Sequence, residues 1–178
     1  MFRKGTWQRV VLVIIVGLLA LGLIAGILFY CFQIASAGGQ IYIVVNDGLV
    51  KRASFIVNNA DSAEEDELEL RQYFMPEWLA QDQLLLENPY ENFSVSNYDY
   101  TVEISHIDVK PWSTRATAQV KELMSRIEAI PLEGQSDQEN LTVPEWIAQT
   151  YTVHLVKTEG GRWYISDMEI VDIEKDGN

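Results

Sequence analysis

The feature that most constrains this chain is an apolar run near its N-terminus. Residues 10–32 form a stretch of 23 residues without a charged side chain. As an α-helix the run would be about 35 Å long, more than the roughly 30 Å hydrocarbon core of a bilayer. Trp7 lies at one border of the run and three aromatic residues lie at the other, an arrangement typical of membrane interfaces. The run therefore predicts a transmembrane helix over residues 10–32.

The distribution of basic residues predicts how this helix is oriented. Arg3, Lys4 and Arg9 precede the run, and the next basic residue is Lys51. The positive-inside rule then predicts a cytoplasmic tail over residues 1–9. The same rule predicts an extracytoplasmic C-terminal domain on a single-pass protein of the cell membrane.

A cleaved signal peptide is the alternative to an anchor. Ala35-Ser36-Ala37 has the A-x-A form of a cleavage site, so cleavage after Ala37 stays open. The apolar run is, however, about twice the length of a typical signal core of roughly 7–15 residues. The length favours an uncleaved anchor.

Two further features lie within the predicted membrane helix. Gly22 and Gly26 form a GxxxG pattern, which permits a close helix–helix contact and a homo-oligomer. Glycine is also common in membrane spans for no specific reason, and this is the simpler explanation. Cys31 is the only cysteine, so the chain has no intrachain disulfide and the outer domain must fold on its apolar core.

Charge excludes one class of partner. The chain has 178 residues and a net charge of −13, and the part after residue 33 carries −16. A domain with this negative charge repels phosphate backbones, and we therefore expect no nucleic-acid binding.

The length of the chain indicates one domain plus an appendage. The small residues over 33–39 predict a hinge, followed by an extracytoplasmic domain over 40–173 and a tail over 174–178.

The start of the outer domain allows two interpretations. Apolar residues recur at steps of four or three, which predicts one long helix: Val45, Leu49, Ala53, Ile56 and Ala60. Asn46-Asp47-Gly48 would instead suit a hairpin turn. The helix is favoured, because Lys51 and Arg52 are adjacent, as expected on the polar face of a helix.

Two shorter helices are predicted next. A capping box over residues 62–65 predicts a helix start. Pro76 suits the first turn of a further helix, which should end before Pro89. The apolar residues of these segments are Leu68, Leu70, Phe74, Trp78, Leu79, Leu85 and Leu86.

The second half of the chain changes to a period of two, which predicts strands. Alternating segments lie over residues 98–104, 116–120 and 151–155, and a last strand begins at 163 and ends near 173. A polar loop is expected over residues 134–140, and a tight turn is expected at Gly160-Gly161. Helices that precede four antiparallel strands predict an α+β fold with the helices packed on the sheet.

The last hairpin carries a resemblance. Residues 150–157, the glycine pair and residues 162–165 resemble the closing hairpin of the nuclear transport factor 2-like superfamily, a cystatin-like α+β cone. Tyr73-Phe74 is similar to the helix ends of that superfamily. The resemblance covers residues 40–173 and implies N-terminal helices followed by a strongly curved sheet of long antiparallel strands. It also implies a plan similar to that of the membrane-anchored VirB-type scaffold subunits of conjugation and secretion machines.

Enzymes of that superfamily use a pocket in the concave face of the sheet, so the resemblance directs attention to polar residues on the strands. His106 and Asp108 lie two residues apart on one strand face, where a proton-transfer pair is geometrically feasible. A surface position at the strand end is the simpler explanation of His106, and His154 alternates with threonines on a polar face. Residues that could line a pocket are Tyr98, Tyr100, Tyr151 and Trp163.

The sequence predicts no cofactor and no metal. It has two histidines and one cysteine at the membrane border, and it lacks metal-binding, phosphate-binding and nucleophile-elbow motifs. We expect a non-enzymatic interaction or scaffold domain in a bacterial cell-envelope assembly, with envelope proteins as partners. The alternative is a small-molecule binder or isomerase-like enzyme that uses the concave pocket.

Overall fold

The computed structural model describes residues 4–58, 68–132 and 142–174. Its first element, helix α1, extends from Lys4 to Asn58 as a single helix of 55 residues. The most apolar 18-residue window of α1 has a mean hydropathy of 3.1, and none of this window is buried. By length and composition, α1 is therefore able to cross a membrane.

α1 continues without a break through residues 33–39, where the sequence predicts a hinge. A Cβ atom built on Gly38 or Gly39 would meet nothing within 4 Å. Ala37, before the glycine pair, packs against the core, and Ile41, after it, is fully buried. Because packing holds the chain here, the helix penalty of roughly 1 kcal/mol for each glycine does not break the helix.

The C-terminal part of α1 forms the spine of the folded domain. Its buried apolar residues are Ile41, Val45, Leu49, Ala53, Ile56 and Val57. This confirms the helix over the hairpin, because steps of three and four place apolar residues on one face. Gly48 lies where α1 crosses the segment around Tyr73, and a Cβ atom at Gly48 would be 2.9 Å from the Tyr73 Cβ.

The chain between α1 and the sheet forms short helices. Residues 68–70 are helical, and the predicted capping box over 62–65 lies outside the described residues. The single helix expected from Pro76 is divided into α2 (Pro76–Leu79) and α3 (Gln83–Leu86). Asp82 separates them because its backbone is extended and its side chain accepts a hydrogen bond from the Leu84 amide, as an N-cap does.

Four strands form one antiparallel, unclosed sheet in the order β1-β2-β3-β4. They are β1 (Phe93–Val109), β2 (Arg115–Pro131), β3 (Ala148–Lys157) and β4 (Trp163–Glu174). These strands and α1 confirm the predicted α+β class. The predicted loop over 134–140 lies outside the described residues, as do residues 175–178 of the predicted tail.

One end of the sheet is formed by two turns, and we call it the turn end. It comprises residues 108–115, around the β1–β2 turn, and residues 157–162, around the β3–β4 turn. The Lys157 amide, which borders the second turn, donates a hydrogen bond of 2.8 Å to the Thr114 carbonyl of the first. Tyr30, in the apolar part of α1, lies beside Trp112 of the first turn, with ring centroids 6.4 Å apart. The turn end therefore faces the apolar part of α1.

The inner face of the sheet packs on α1. The larger buried cluster joins Ile41, Val45 and Leu49 to inward residues of β2, β3 and β4. A second cluster lies farther from the turn end and contains Ile56 and Tyr90 among its buried residues. The inner face of the sheet is thus occupied by α1.

Candidate functional site

The interior contains three charged side chains that are almost completely buried. Arg52 of α1 is 3% exposed, Asp82 before α3 is 7% exposed, and Glu122 of β2 is 0% exposed. Buried charges normally have partners, because taking an ion out of water without one costs several kcal/mol or more. These three are the buried charged side chains among the described residues, and we call them the buried charge cluster.

Two of these positions follow from the local periodicity. Arg52 lies three residues after Leu49 and seven after Val45, so it points towards the sheet. Glu122 continues the inward alternation of β2 between Val120 and Met124, both of which are buried. The prediction that Arg52 lies on the polar face of the helix is therefore wrong, because its side chain lies on the apolar stripe of α1.

The guanidinium of Arg52 binds its two acids unequally. Its Nε donates to Asp82 Oδ2 at 2.6 Å and its Nη2 donates to Asp82 Oδ1 at 2.9 Å, a bidentate pair. Its Nη1 lies 3.7 Å from Glu122 Oε2. Neither Nη1 nor Oε2 has a hydrogen-bond partner in the described part of the chain. The Arg52 guanidinium also lies 5.6 Å from the centre of the Trp78 ring, a cation–π contact.

At Arg52 and at Glu122, burial and neighbouring opposite charges shift the pKa in opposite directions. Burial disfavours the charged guanidinium, but the Asp82 hydrogen bonds and the Glu122 charge outweigh it, so the pKa of Arg52 is raised and the group stays charged. Burial raises the pKa of Glu122 above its ordinary value, and the opposing effects of Arg52 and Tyr100 are too small to reverse this. Glu122 thus takes up a proton more readily than an ordinary glutamate does.

Two of the four tyrosine and tryptophan residues proposed to line a pocket adjoin this cluster. The Tyr100 hydroxyl donates to Glu122 Oε1 at 2.8 Å. Tyr151 is 5% exposed and donates to Gln149 Oε1. Burial raises the pKa of both phenols, and the nearby Glu122 charge raises it further. Both phenols therefore stay protonated at neutral pH.

The other two lie elsewhere. Tyr98 is partly buried and packs against the second buried cluster. Trp163 is 2% exposed and belongs to the larger cluster, with the Lys157 ammonium 5.6 Å from its ring centre. Trp163 is thus a core residue in this structure.

The buried charge cluster has the chemistry of an acid–base site, but no hollow among the described residues reaches it. A protonatable carboxyl beside two phenols and a fixed cation can exchange a proton and hold an anion. The side chains of Arg52, Asp82 and Glu122 are at most 4% exposed, and none of them lines a described surface hollow. The arrangement as it stands is sealed.

The predicted pair His106 and Asp108 lies on the outer face of the sheet, away from this cluster. Both residues are exposed. Asp108 lines a hollow of about 470 Å³ beside the turn end, together with Lys110, Arg115 and His154, whereas His106 does not. His154 lies 3.7 Å from Glu169, a separation measured between Nε2 and Oε2. The structure thus brings Asp108 together with His154.

Gly22 and Gly26 lie on one side of the apolar part of α1. A Cβ atom at either glycine would meet nothing within 4 Å. They line a shallow groove on the helix surface with Leu19, Leu23 and Tyr30 among its walls. The groove is open along the helix, so the prediction of a helix–helix contact stays a prediction.

No three histidine, cysteine, aspartate or glutamate side chains within residues 4–58, 68–132 and 142–174 are placed to hold a metal ion. The Arg52 guanidinium, the cation of the buried charge cluster, is already paired with Asp82.

No protein-family model, no curated protein and no solved structure matches this chain.

Proposed function

We propose that this protein is a single-pass membrane protein whose extracytoplasmic domain acts as a non-enzymatic interaction or scaffold domain in a bacterial cell-envelope assembly. Residues 10–32 would cross the membrane, with residues 1–9 in the cytoplasm and envelope proteins as partners. The described helix and sheet are compatible with a nuclear transport factor 2-like cone and with the plan of VirB-type scaffold subunits. That finer likeness is part of the proposal.

The observation that carries the proposal is the occupation of the inner face of the sheet by α1. The same helix provides the apolar span and fills the face where enzymes of the resembled superfamily hold their substrates. The polar side chains on that face are sealed, as described above. This leaves the exposed surfaces for interaction with other molecules.

One exposed surface suits a protein partner. Among the described residues, the outer edge of β4 is covered only near its start, where the Ile165 carbonyl accepts from the Met75 amide and the Ile165 amide donates to the Tyr73 carbonyl. Ile170 and Val171, farther along β4, are 54% and 60% exposed. No described strand pairs with this part of the outer edge. An unpaired edge with apolar side chains is a template for strand addition by another chain.

The test is a crosslinked pull-down of the full-length protein from its own membranes, read by mass spectrometry. A reproducible set of envelope proteins at fixed stoichiometry is expected, and Ile170→Lys with Val171→Lys should abolish it. The control Thr101→Lys places a cation on an exposed position of β1 and should leave the set intact. A pull-down without partners, or one that the β4 variant leaves unchanged, would contradict the proposal.

The buried charge cluster favours the second candidate, a small-molecule binder or isomerase-like enzyme. Glu122 with its raised pKa, Tyr100 and Arg52 are the groups such a site would use. Opening of the domain would be required for a ligand to reach them. Native mass spectrometry of the full-length protein would then show a co-purifying compound that Glu122→Gln releases. Absence of any bound compound in the wild type would exclude this candidate for the purified protein.

A further inference from the structure

The turn between β1 and β2 presents an unusual exposed tryptophan. Trp112 is 72% exposed and has a φ of 60°, in the region that residues other than glycine seldom adopt. Its ring contacts the Tyr30 ring edge-to-face at 6.4 Å. Tyr30 lies two residues before the end of the apolar run, which corresponds to about 3 Å along the helix axis. If residues 10–32 cross the membrane, Trp112 lies at the level of the bilayer surface.

Hydrogen bonds hold the turn with this ring pointing outward. The Ser113 amide donates to the Lys110 carbonyl at 3.1 Å. The Ser113 hydroxyl donates to the Arg115 carbonyl at 2.6 Å and accepts from the Arg115 amide at 3.0 Å. The indole is therefore fixed away from the core. An indole combines an apolar ring with an N–H donor, which is why tryptophan is enriched at membrane–water interfaces.

The turn end has a charge opposite to that of the rest of the domain. Residues 108–115 and 157–162 contain four basic and two acidic residues, whereas the rest of the chain after residue 33 contains six basic and 24 acidic ones. Lys110, Arg115 and Arg162 are exposed, and Lys157 is half-buried. A cationic end on an acidic domain is complementary to an anionic surface placed next to it.

A hollow on this cationic end has the size and lining for a phosphate-bearing group. Its volume is about 470 Å³, and it contains Lys110 and Arg115 together with the polar residues Ser113, Thr117, His154 and Ser166. Asp108 is the acidic member of the lining. Lys110, Ser113 and Arg115 flank Trp112 in sequence, so the hollow and the ring that contacts Tyr30 share one turn. It is within reach of the headgroup layer, which adds about 5–8 Å on each side of the hydrocarbon core.

We propose that the turn end is a binding site for an anionic phospholipid of the membrane in which α1 is anchored. Lys110 and Arg115 bind the headgroup phosphate in the hollow, and Trp112 lies among the glycerol and upper acyl groups. This proposal rests on the proposed membrane anchoring. It adds a second, lipid-specific contact that holds the domain against the bilayer.

The test measures lipid binding by native mass spectrometry of the full-length protein in non-ionic detergent, titrated with phosphatidylglycerol or phosphatidylcholine. We expect preferential retention of phosphatidylglycerol by the wild type. Each basic residue near an anionic surface favours association about fivefold, so Lys110→Gln with Arg115→Gln should weaken phosphatidylglycerol binding by roughly 25-fold. Lys121→Gln with Arg126→Gln removes the same charge elsewhere on β2 and should leave binding unchanged.

Two further experiments identify the ligand and distinguish failure of the lipid proposal from failure of the proposed membrane anchoring. Inorganic phosphate and glycerophosphoglycerol are added as soluble competitors, and displacement of the lipid by either at equal concentration would assign the hollow to a soluble anion and overturn the proposal. Equal binding of both lipids, or equal loss in the two double variants, would also overturn it. Carbonate extraction of the same variants from membranes tests the anchor itself, because a wild-type chain released by carbonate would refute the anchoring instead.

Discussion

Replacing each acid of the buried charge cluster by its amide should change the unfolding free energy by a different amount. Asp82 binds Arg52 through hydrogen bonds of 2.6 and 2.9 Å, whereas the Glu122 oxygen lies 3.7 Å from Arg52 Nη1, beyond hydrogen-bond distance. In Glu122→Gln the amide oxygen can still accept the hydrogen bond from Tyr100. Burial already disfavours the ionised carboxylate of Glu122.

These distances set the expected magnitudes. Asp82→Asn leaves the buried guanidinium without its main counter-ion and should lower the unfolding free energy by about 3–5 kcal/mol. Glu122→Gln removes an attraction and a desolvation cost of opposite sign, and it should change the unfolding free energy by less than about 1 kcal/mol at pH 7, towards higher stability. Glu128→Gln, at an exposed position of the same strand, is the matched control and should be neutral.

The pH dependence follows from the raised pKa of Glu122. Between the ordinary glutamate pKa of about 4.3 and the higher value in the folded protein, the native state binds more protons than the unfolded state. The unfolding free energy contributed by this group is therefore greatest at low pH and falls as pH rises through that interval. In Glu122→Gln the decline is absent, so the variant should gain stability relative to the wild type as pH increases.

The assay is urea unfolding of the full-length protein in non-ionic detergent, followed by tryptophan fluorescence. Trp78 is a suitable internal reporter, because it stacks on Phe74 at 4.8 Å and contacts Arg52. An unchanged m-value would show that the variants unfold the same structure. A loss of about 3 kcal/mol or more in Glu122→Gln would make Glu122 an essential ionised counter-ion of Arg52 and refute the reasoning.

Three other changes test the packing of the domain, the first two by the same urea unfolding. Gly48→Ala should destabilise by about 1–2 kcal/mol, because its Cβ would be 2.9 Å from the Tyr73 Cβ, whereas Gly39→Ala should stabilise by up to about 1 kcal/mol; equal effects would show that α1 does not pass so close to Tyr73. Trp163→Ala should cost roughly 3–5 kcal/mol for a buried ring, and a loss below about 1 kcal/mol would contradict its place in the core. Deletion of residues 1–33 removes the membrane-length apolar part of α1 and retains its buried residues from Ile41 onward. Gel filtration and circular dichroism should then show a soluble folded domain. An insoluble product would show that the folded domain begins at a different residue.

The periodic parts of the fold were predictable from the sequence. The steps of three and four from Val45 to Ile56 predict the helical face that the structure buries, and the alternation in the second half predicts all four strands. The single helix after Pro76 was not divided correctly. Asp82 caps α3 with its side chain, and this local hydrogen bond competes with continued helix. The hinge prediction over 33–39 used composition alone and ignored the packing of the residues on either side.

The buried charge cluster does not follow from patterns considered within one helix or strand at a time, because its members come from three separate segments. Adjacency to Lys51 predicts a polar position for Arg52, whereas its spacing of three from Leu49 places it on the apolar stripe. Glu122 was omitted although it occupies an inward position of β2. A basic residue on an apolar helix face and an acidic residue on an apolar strand face are the signal that predicts such a pair. Asp82 carries no comparable signal, because only the tertiary fold brings its loop to α1.

The continuity of α1 has a consequence that a hinge would not have. A helix residue turns the chain by about 100° and advances it by 1.5 Å, so a rigid helix fixes both the rotation and the height of the domain relative to the apolar run. Trp112 and Tyr30 come from opposite sides of residues 33–39, and their ring contact is compatible with only one such rotation. With a flexible link at Gly38 and Gly39 the turn end could face any direction. Adding or removing one residue between Tyr30 and Ile41 would therefore turn Trp112 away from Tyr30. The unbroken helix thus constrains the length of this segment as well as its composition.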